Sequence, residues 1–227
     1  MDLVTLENRE LKKHTGAVHI TGELTGLQMK ISNVFLFNAY DDLLKKSQHR
    51  IAIKDLAEAI GYNSNDYDSL KEAITGLISM VLEWNILDDR GQEDWEAMSI
   101  LSSARFYGGI CTYEYPERLR LKLYNPETFA RISLSIQRKF NSGYGLKLYE
   151  NVARFRDTGS SGWRSVEKWK ELLGVKGNAY YREFRRFNNK IIKRAVEEVN
   201  EHADIHVTPE YSAKGVRCRR SVFWSPT

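Results

Sequence analysis

Two cysteines in 227 residues are too few for a disulfide framework or a closed zinc site, and Cys111 and Cys218 lie too far apart to form a CxxC pair. Both are expected as buried free thiols. Long apolar runs are missing as well: no stretch approaches the roughly 18 residues needed to cross a bilayer. The opening MDLVTLENRELKKH lacks the apolar centre of a secretory signal, so a cytoplasmic protein with no membrane partner is expected. Gly108-Gly109 and Gly143-Tyr144-Gly145 lack the strand, helix and lysine context of a Walker-type phosphate loop. The histidines offer no metal cluster: His202 and His206 are four apart, but Asp204-Ile205 is expected to start a strand, so the pair need not share a helical face. No Ser, His and Asp constellation can be named from spacing. These absences argue against an enzyme and leave no expected cofactor or metal.

What remains is an ordinary soluble composition, 42% hydrophobic and 28% charged, with the charge placed unevenly. From Ile136 onward there are 19 Lys and Arg against 10 Asp and Glu, a net of +9, while the first 135 residues carry 15 against 20, a net of −5. A basic half joined to an acidic half points to a polyanion read by the C-terminal part and to protein contacts made by the N-terminal part.

Along the chain, residues 1–28 show no helical period and are expected as an irregular arm with a short strand at Ala17–Ile20. A largely apolar helix is expected from Met29 through Leu44, then a strand at Ile51–Ile53 and a short helix at Asp55–Ile60 stopped by Gly61. Asn65 or Asp66 can cap a second helix whose stripe, Leu70, Ile74, Leu77, Ile78, Val81 and Leu82, ends near Trp84. Two helices across a tight polar turn suggest a helix-turn-helix. Ala97–Tyr107 and Ile110–Tyr115, joined at Gly108-Gly109, read as its wing, and Leu119, Leu121 and Leu123 alternate like another strand. The plan then repeats in different letters. A helix from Gly145 to about Arg156, a short Ser165-capped helix closed by Gly174, a long basic helix, and strands at Ile205–Thr208 and Val216–Trp224 follow one another. The expected fold is α+β, two tandem winged helices: an arm at 1–24, a first winged helix at 25–140 and a second at 141–227.

The long basic helix, Tyr180–Val199, is the most informative stretch. Phe184, Phe187, Ile191, Ile192, Ala195, Val196 and Val199 make an apolar stripe, and Arg182, Arg185, Arg186, Asn189, Lys190, Lys193 and Arg194 fill the other side. A charged face alone would serve as a solvated surface. Its neighbours change that reading, since a capped short helix precedes it and a basic hairpin follows, with Lys214 in the turn and Arg217 and Arg219 on one face. Arg220 falls in phase with the inward residues.

The runs LKLYENVARFRDTG, SVEKWKELLGV and YYREFRRFNNKIIKRAVEEVNEHADIHVTPEYSAKGVRCRRSVFW resemble the C-terminal winged helix of the Rep_3-type, iteron-binding plasmid replication initiators, most specifically through Tyr181, Phe184, Phe187, Ala195, Glu198 and Asn200. The opening helix LQMKISNVFLFNAYDDLL is similar to that of the family's dimerising winged helix, and the resemblance spans roughly residues 18–225. It implies a protein that binds iterons in double-stranded origin DNA, helps open the origin, recruits the host initiator and the replicative helicase, forms homodimers through its N-terminal domain and represses its own gene. A winged-helix repressor with no initiator role would use the same residues.

The chemistry expected of the site follows. Cations neutralise phosphates, while Arg and Asn can pair with guanine and adenine edges. Arg182, Arg185, Arg186 and Asn189 are expected to read bases, Lys190, Lys193 and Arg194 to lie on phosphate or solvent, and Lys214, Arg217 and Arg219 to contact backbone or minor groove at the wing. Exposed strand arginines also serve simply to discourage edge pairing. Tyr113, Tyr115, Tyr144, Tyr149, Tyr180 and Tyr181 could act as nicking nucleophiles only with a histidine metal cluster that the sequence does not offer, and are read as core or groove-edge residues.

Overall fold

In the computed structural model, which describes residues 10–14, 24–64, 66–87, 93–124 and 129–221, the chain builds one small architecture twice. Strand β1 (Glu10–His14) precedes the first copy. A reciprocal box then starts α1 (Gly26–Ala39): Thr25 Oγ1 accepts from the Gln28 amide and Gln28 Oε1 accepts from the Thr25 amide. Met29, Ile31, Val34, Phe35 and Leu36 on α1 are all buried, as a helix apolar on much of its surface requires. Strand β2 (Gln48–Ala52) passes directly into α2 (Ile53–Ile60), which Gly61 closes in the left-handed region at φ 70°. Asp66 Oδ1 accepts from the Asp68 amide at the entry to α3 (Asp68–Ser79), completing the helix-turn-helix; Asn65 lies outside the described residues.

The chain continues through the hairpin β3 (Val81–Leu87) and β4 (Glu93–Ser99), then the wing β5 (Ser103–Tyr107) and β6 (Ile110–Glu114). Gly108 and Gly109 both take positive φ, 58° and 76°, the two-residue turn whose twist matches a hairpin. The wing strands join β2 in the order β2-β6-β5. Next come α4 (Glu117–Leu123), β7 (Phe129–Ser133) and a single turn, α5 (Leu134–Gln137).

The second copy repeats this order with α6 (Gly143–Ala153), capped by Ser142, and α7 (Val166–Leu172), capped by Ser165 and followed by Gly174 at φ 72°. After a 3-10 turn at Ala179–Tyr181, α8 (Phe184–Phe187), a π turn (Asn188–Ile192) and α9 (Lys193–His202) run on as one helix. Strands β8 (His206–Ser212) and β9 (Gly215–Ser221) form the second wing. Residues 160–164 bridge to β9 at Ser160–Arg219 and Arg164–Val216, the place that β2 holds beside β6 in the first copy.

Several sequence expectations are corrected. The arm is not irregular throughout, because Glu10–His14 pairs antiparallel with Phe129–Ser133; the strand expected at Ala17–Ile20 lies outside the described residues. Leu119, Leu121 and Leu123 belong to a helix rather than a strand. Leu119 and Leu123, four apart, are buried, while Leu121 is 64% exposed. The stripe from Leu70 stops being helical at Ser79, and Val81 and Leu82 start β3, where the β-branched Val81 and the hairpin partner both favour a strand. Ala97–Ser99 pairs with β3 and is not part of the wing.

The two copies pack through α6, which is buried at every residue from Gly145 to Ala153. Glu150 is 0% exposed and sits at the centre of a polar knot. Lys13 Nζ meets its Oε2 at 2.7 Å and Asn33 Nδ2 meets its Oε1 at 2.7 Å, while the same Nδ2 lies 2.9 Å from Gln137 Oε1. Lys30 spends its three protons on the carbonyls of Ile60, Arg138 and Phe140, and burial pulls its pKa down. The helix starts are so close that a Cβ on Gly26 would lie 3.0 Å from the Cα of Gly143.

Candidate nucleic-acid interface

The cationic helix is fixed at both ends by side chains of its own unit. Trp169, buried on α7, donates Nε1–H to the Val216 carbonyl at 2.9 Å, which ties the short helix to the wing. Lys170, also buried, bonds Glu167 at 2.7 Å and donates to the Arg182 carbonyl at 3.3 Å, holding the chain where the cationic helix is about to start. At the far end Asn200 donates to Val207 O at 3.0 Å and accepts from Val207 N at 2.7 Å, a paired clamp between α9 and β8. Glu198 accepts from the amides of Asn141 at 2.5 Å and Ser142 at 2.9 Å, so it anchors the helix to the start of α6.

Between these anchors the helix spans roughly 28 Å at about 1.5 Å per residue. Phe187, Ile191, Ile192, Ala195, Val196 and Val199 are buried, whereas Arg185, Arg186, Asn189, Lys190, Lys193 and Arg194 are exposed. The exposed residues form two rows with four-residue steps, 185-189-193 and 186-190-194. In the π turn the Lys193 amide donates to Asn188 O, five residues back, and the extra residue lets adjacent Ile191 and Ile192 both face the core. Beside the helix, Tyr211 of β8 donates its hydroxyl to Asn188 Oδ1 at 2.8 Å and meets the Phe184 ring edge-on at 5.9 Å, coupling the wing to the helix.

Residues 10–153 match the family model "Initiator Replication protein, WH1", and residues 165–222 match "Initiator Rep protein, WH2". The chain belongs to this initiator family. Solved structures share its fold. The crystal structure of Pi initiator protein in complex with iteron DNA matches with a TM-score of 0.73 at 15% identity, covering 96% of this chain and 99% of that one. The structure of domains 2 and 3 of RctB matches with a TM-score of 0.52 at 14% identity, covering 86% and 81%. Among curated proteins none matches the sequence.

Of the initiator residues singled out in the sequence, Arg185, Arg186, Asn189, Lys190 and Lys193 share the outer side of one helix. Arg182 does not. The expected continuous helix from Tyr180 is interrupted at Glu183, whose ψ of 122° is extended, so Arg182 lies at the end of the preceding 3-10 turn. Phe184, expected inward, is 39% exposed and packs on Tyr211. On the wing, Val216 and Cys218 are buried and Arg217 and Arg219 lie on the opposite face, as alternation requires; Lys214 is exposed in the turn, its amide bonded to Ser212 Oγ. The Arg220 side chain lies outside the described residues.

Sequence reasoning missed the groups that hold these arginines. Arg186 has Glu183 Oε2 at 3.2 Å and the Tyr180 ring at 5.1 Å. Arg217 has Glu210 Oε2 at 2.5 Å and the Trp163 ring at 4.6 Å, and Arg219 Nε lies 3.2 Å from Glu210 Oε1. An acid three residues before an arginine on a helix is a readable signal. The Glu210 contacts need the β8–β9 register, which local sequence does not specify. Tyr113, Tyr115 and Tyr149 are core residues, and burial raises the pKa of each. His202, the last residue of α9, packs edge-on against Phe140, while His206 stands on β8, so the two do not share a helical face.

Proposed function

We propose that this initiator acts at a plasmid origin, binding double-stranded DNA at direct repeats of the iteron kind by contact and remodelling rather than catalysis. The observation that carries the reading is the pair of exposed rows on α8–α9, Arg185, Asn189 and Lys193 beside Arg186, Lys190 and Arg194, with a basic wing locked alongside. Such a helix presents bidentate donors to base edges from its first turns and point charges to phosphates from its middle. The wing, with Lys214, Arg217 and Arg219, takes the neighbouring backbone or minor groove. That the Pi initiator protein shares the fold and was crystallised with iteron DNA supports the reading.

In this scheme residues 141–227 carry the main DNA recognition. Residues 25–140 supply homodimerisation and an auxiliary DNA contact, and the acidic first half offers the surface on which the host initiator and replicative helicase are gathered. The protein works in the cytoplasm and represses its own gene as a dimer. A gel shift of the purified chain against the DNA flanking its gene tests the proposal. Complexes that step up in number with the count of direct repeats are expected. Binding confined to one inverted repeat over the promoter would mark a repressor without an initiator role, and no retardation would refute both.

A further inference from the structure

Two arginines on the proposed DNA face share one arrangement: the guanidinium carbon stands over an aromatic ring and a carboxylate pairs with the guanidinium nitrogens. For Arg186 the partners are Tyr180 and Glu183, with both side chains of the ion pair about half exposed. For Arg217 they are Trp163 and Glu210, and here the pair is more enclosed, 25% and 32% exposed. Glu210 stands directly opposite Arg217 in the β8–β9 register, and its other oxygen holds Arg219 from two positions along. One carboxylate thus fixes two guanidiniums, and the wing presents a cluster of net charge +1 where the sequence suggests two separate cations.

We propose that Glu210 is a selectivity-determining residue of the wing: it cancels one positive charge and holds Arg217 and Arg219 in fixed directions. The proposal rests on the DNA-binding role given above. Loose cations strengthen binding to every duplex alike, because counterion release carries no sequence information. Arg217, held on a ring and a carboxylate, and Arg219, held by the same carboxylate, are less free to follow any phosphate that comes near, so they contribute most where groove width and backbone path bring the DNA to them. An acid on a polyanion-binding surface lowers affinity overall and lowers it most for ill-fitting sequences, which raises the ratio between them.

The test uses the full-length chain, a pool of random-sequence 30-base-pair duplexes, and the duplexes that the wild-type protein enriches from that pool. Glu210→Gln keeps shape and removes the charge. The expected variant melts near the wild type, binds the unselected pool more tightly, steepens the slope of log K against log salt by about 0.9 for each additional phosphate it neutralises, and narrows the preference for enriched duplexes several-fold. Glu183→Gln, at the more exposed pair, is expected to move these readouts less. Arg217→Lys, which keeps the net charge but loses the planar guanidinium fork, is expected to hold the salt slope and lose selectivity. It keeps the test decisive if Glu210→Gln fails to fold. Unchanged selectivity in a folded Glu210→Gln, whatever its salt slope, or unchanged selectivity in Arg217→Lys, would overturn the proposal while leaving the DNA-binding role intact. A wild-type chain that enriches no sequence at all would overturn both.

Discussion

Replacing Lys13 with Met should destabilise the protein by about 3 to 5 kcal/mol, the range for removing one partner of a buried ion pair. The side chain of Lys13 is 4% exposed and that of Glu150 is 0% exposed, with 2.7 Å between charged atoms, so neither ion can recover water when the other is removed. Glu150 would keep one bond, from Asn33 Nδ2. For a chain of this size each kcal/mol moves the melting temperature about 2 to 4 °C, giving a fall of roughly 6 to 20 °C. Glu150→Leu should cost a similar amount by stranding the Lys13 ammonium. The double variant should cost clearly less than the two singles together, because a buried pair replaced by apolar groups loses desolvation cost as well as attraction; the residue of the cost is Asn33, left with Gln137 alone as acceptor. Urea and thermal unfolding followed by circular dichroism would measure all three. Asp68→Asn, at the exposed pair with Lys71, serves as the control and should leave the midpoint unmoved. Additive losses, or singles indistinguishable from that control, would refute the claim that this knot joins the two winged helices.

Other outcomes follow from single sites. Asn200→Ala should cost about 1 to 3 kcal/mol by leaving the Val207 amide and carbonyl without their partner, read as a lower urea midpoint. Gly215→Ala should cost more than about 3 kcal/mol, since its φ is 120° and a Cβ would lie 2.0 Å from the Arg164 carbonyl oxygen, whereas Gly109→Ala, at φ 76° with open space around it, should cost only about 1 to 2. Burial pushes the thiols of Cys111 and Cys218 from the ordinary 9.0 up to about 12, so neither should react with a thiol reagent at pH 8 until denaturant is added. Because the folded values are the higher ones, their contribution to stability is complete below pH 9.0 and disappears as pH rises towards about 12, which alkaline unfolding would record.

Features written in local periodicity or turn chemistry could be read directly from the sequence: the buried run of α1, the Gly61 and Gly174 helix stops, the Gly108-Gly109 turn, and the alternation of Val216, Arg217, Cys218 and Arg219. The β1–β7 pairing could not, because it joins residues more than a hundred positions apart and neither strand alternates strongly. Leu119, Leu121 and Leu123 fit a two-residue period as well as a four-residue one, and only the burial of the first and third decides for a helix. The cationic stripe was legible, but the break at Glu183 and the π turn were not, since both depend on where Lys170, Tyr211 and the core pull the backbone. The Glu210 clamp stayed hidden for a similar reason: it belongs to a cross-strand register rather than to a motif.

The most direct test of the central claim is fluorescence anisotropy of the full chain on a duplex carrying the repeats beside its gene and on a shuffled duplex of equal composition. Arg185→Ala and Asn189→Ala, one turn apart on the exposed side of the helix, should each lose about 1 to 3 kcal/mol on the repeat duplex and little on the shuffled one. Equal losses on both duplexes, or none on either, would contradict the assignment of this helix as the part of the initiator that reads DNA.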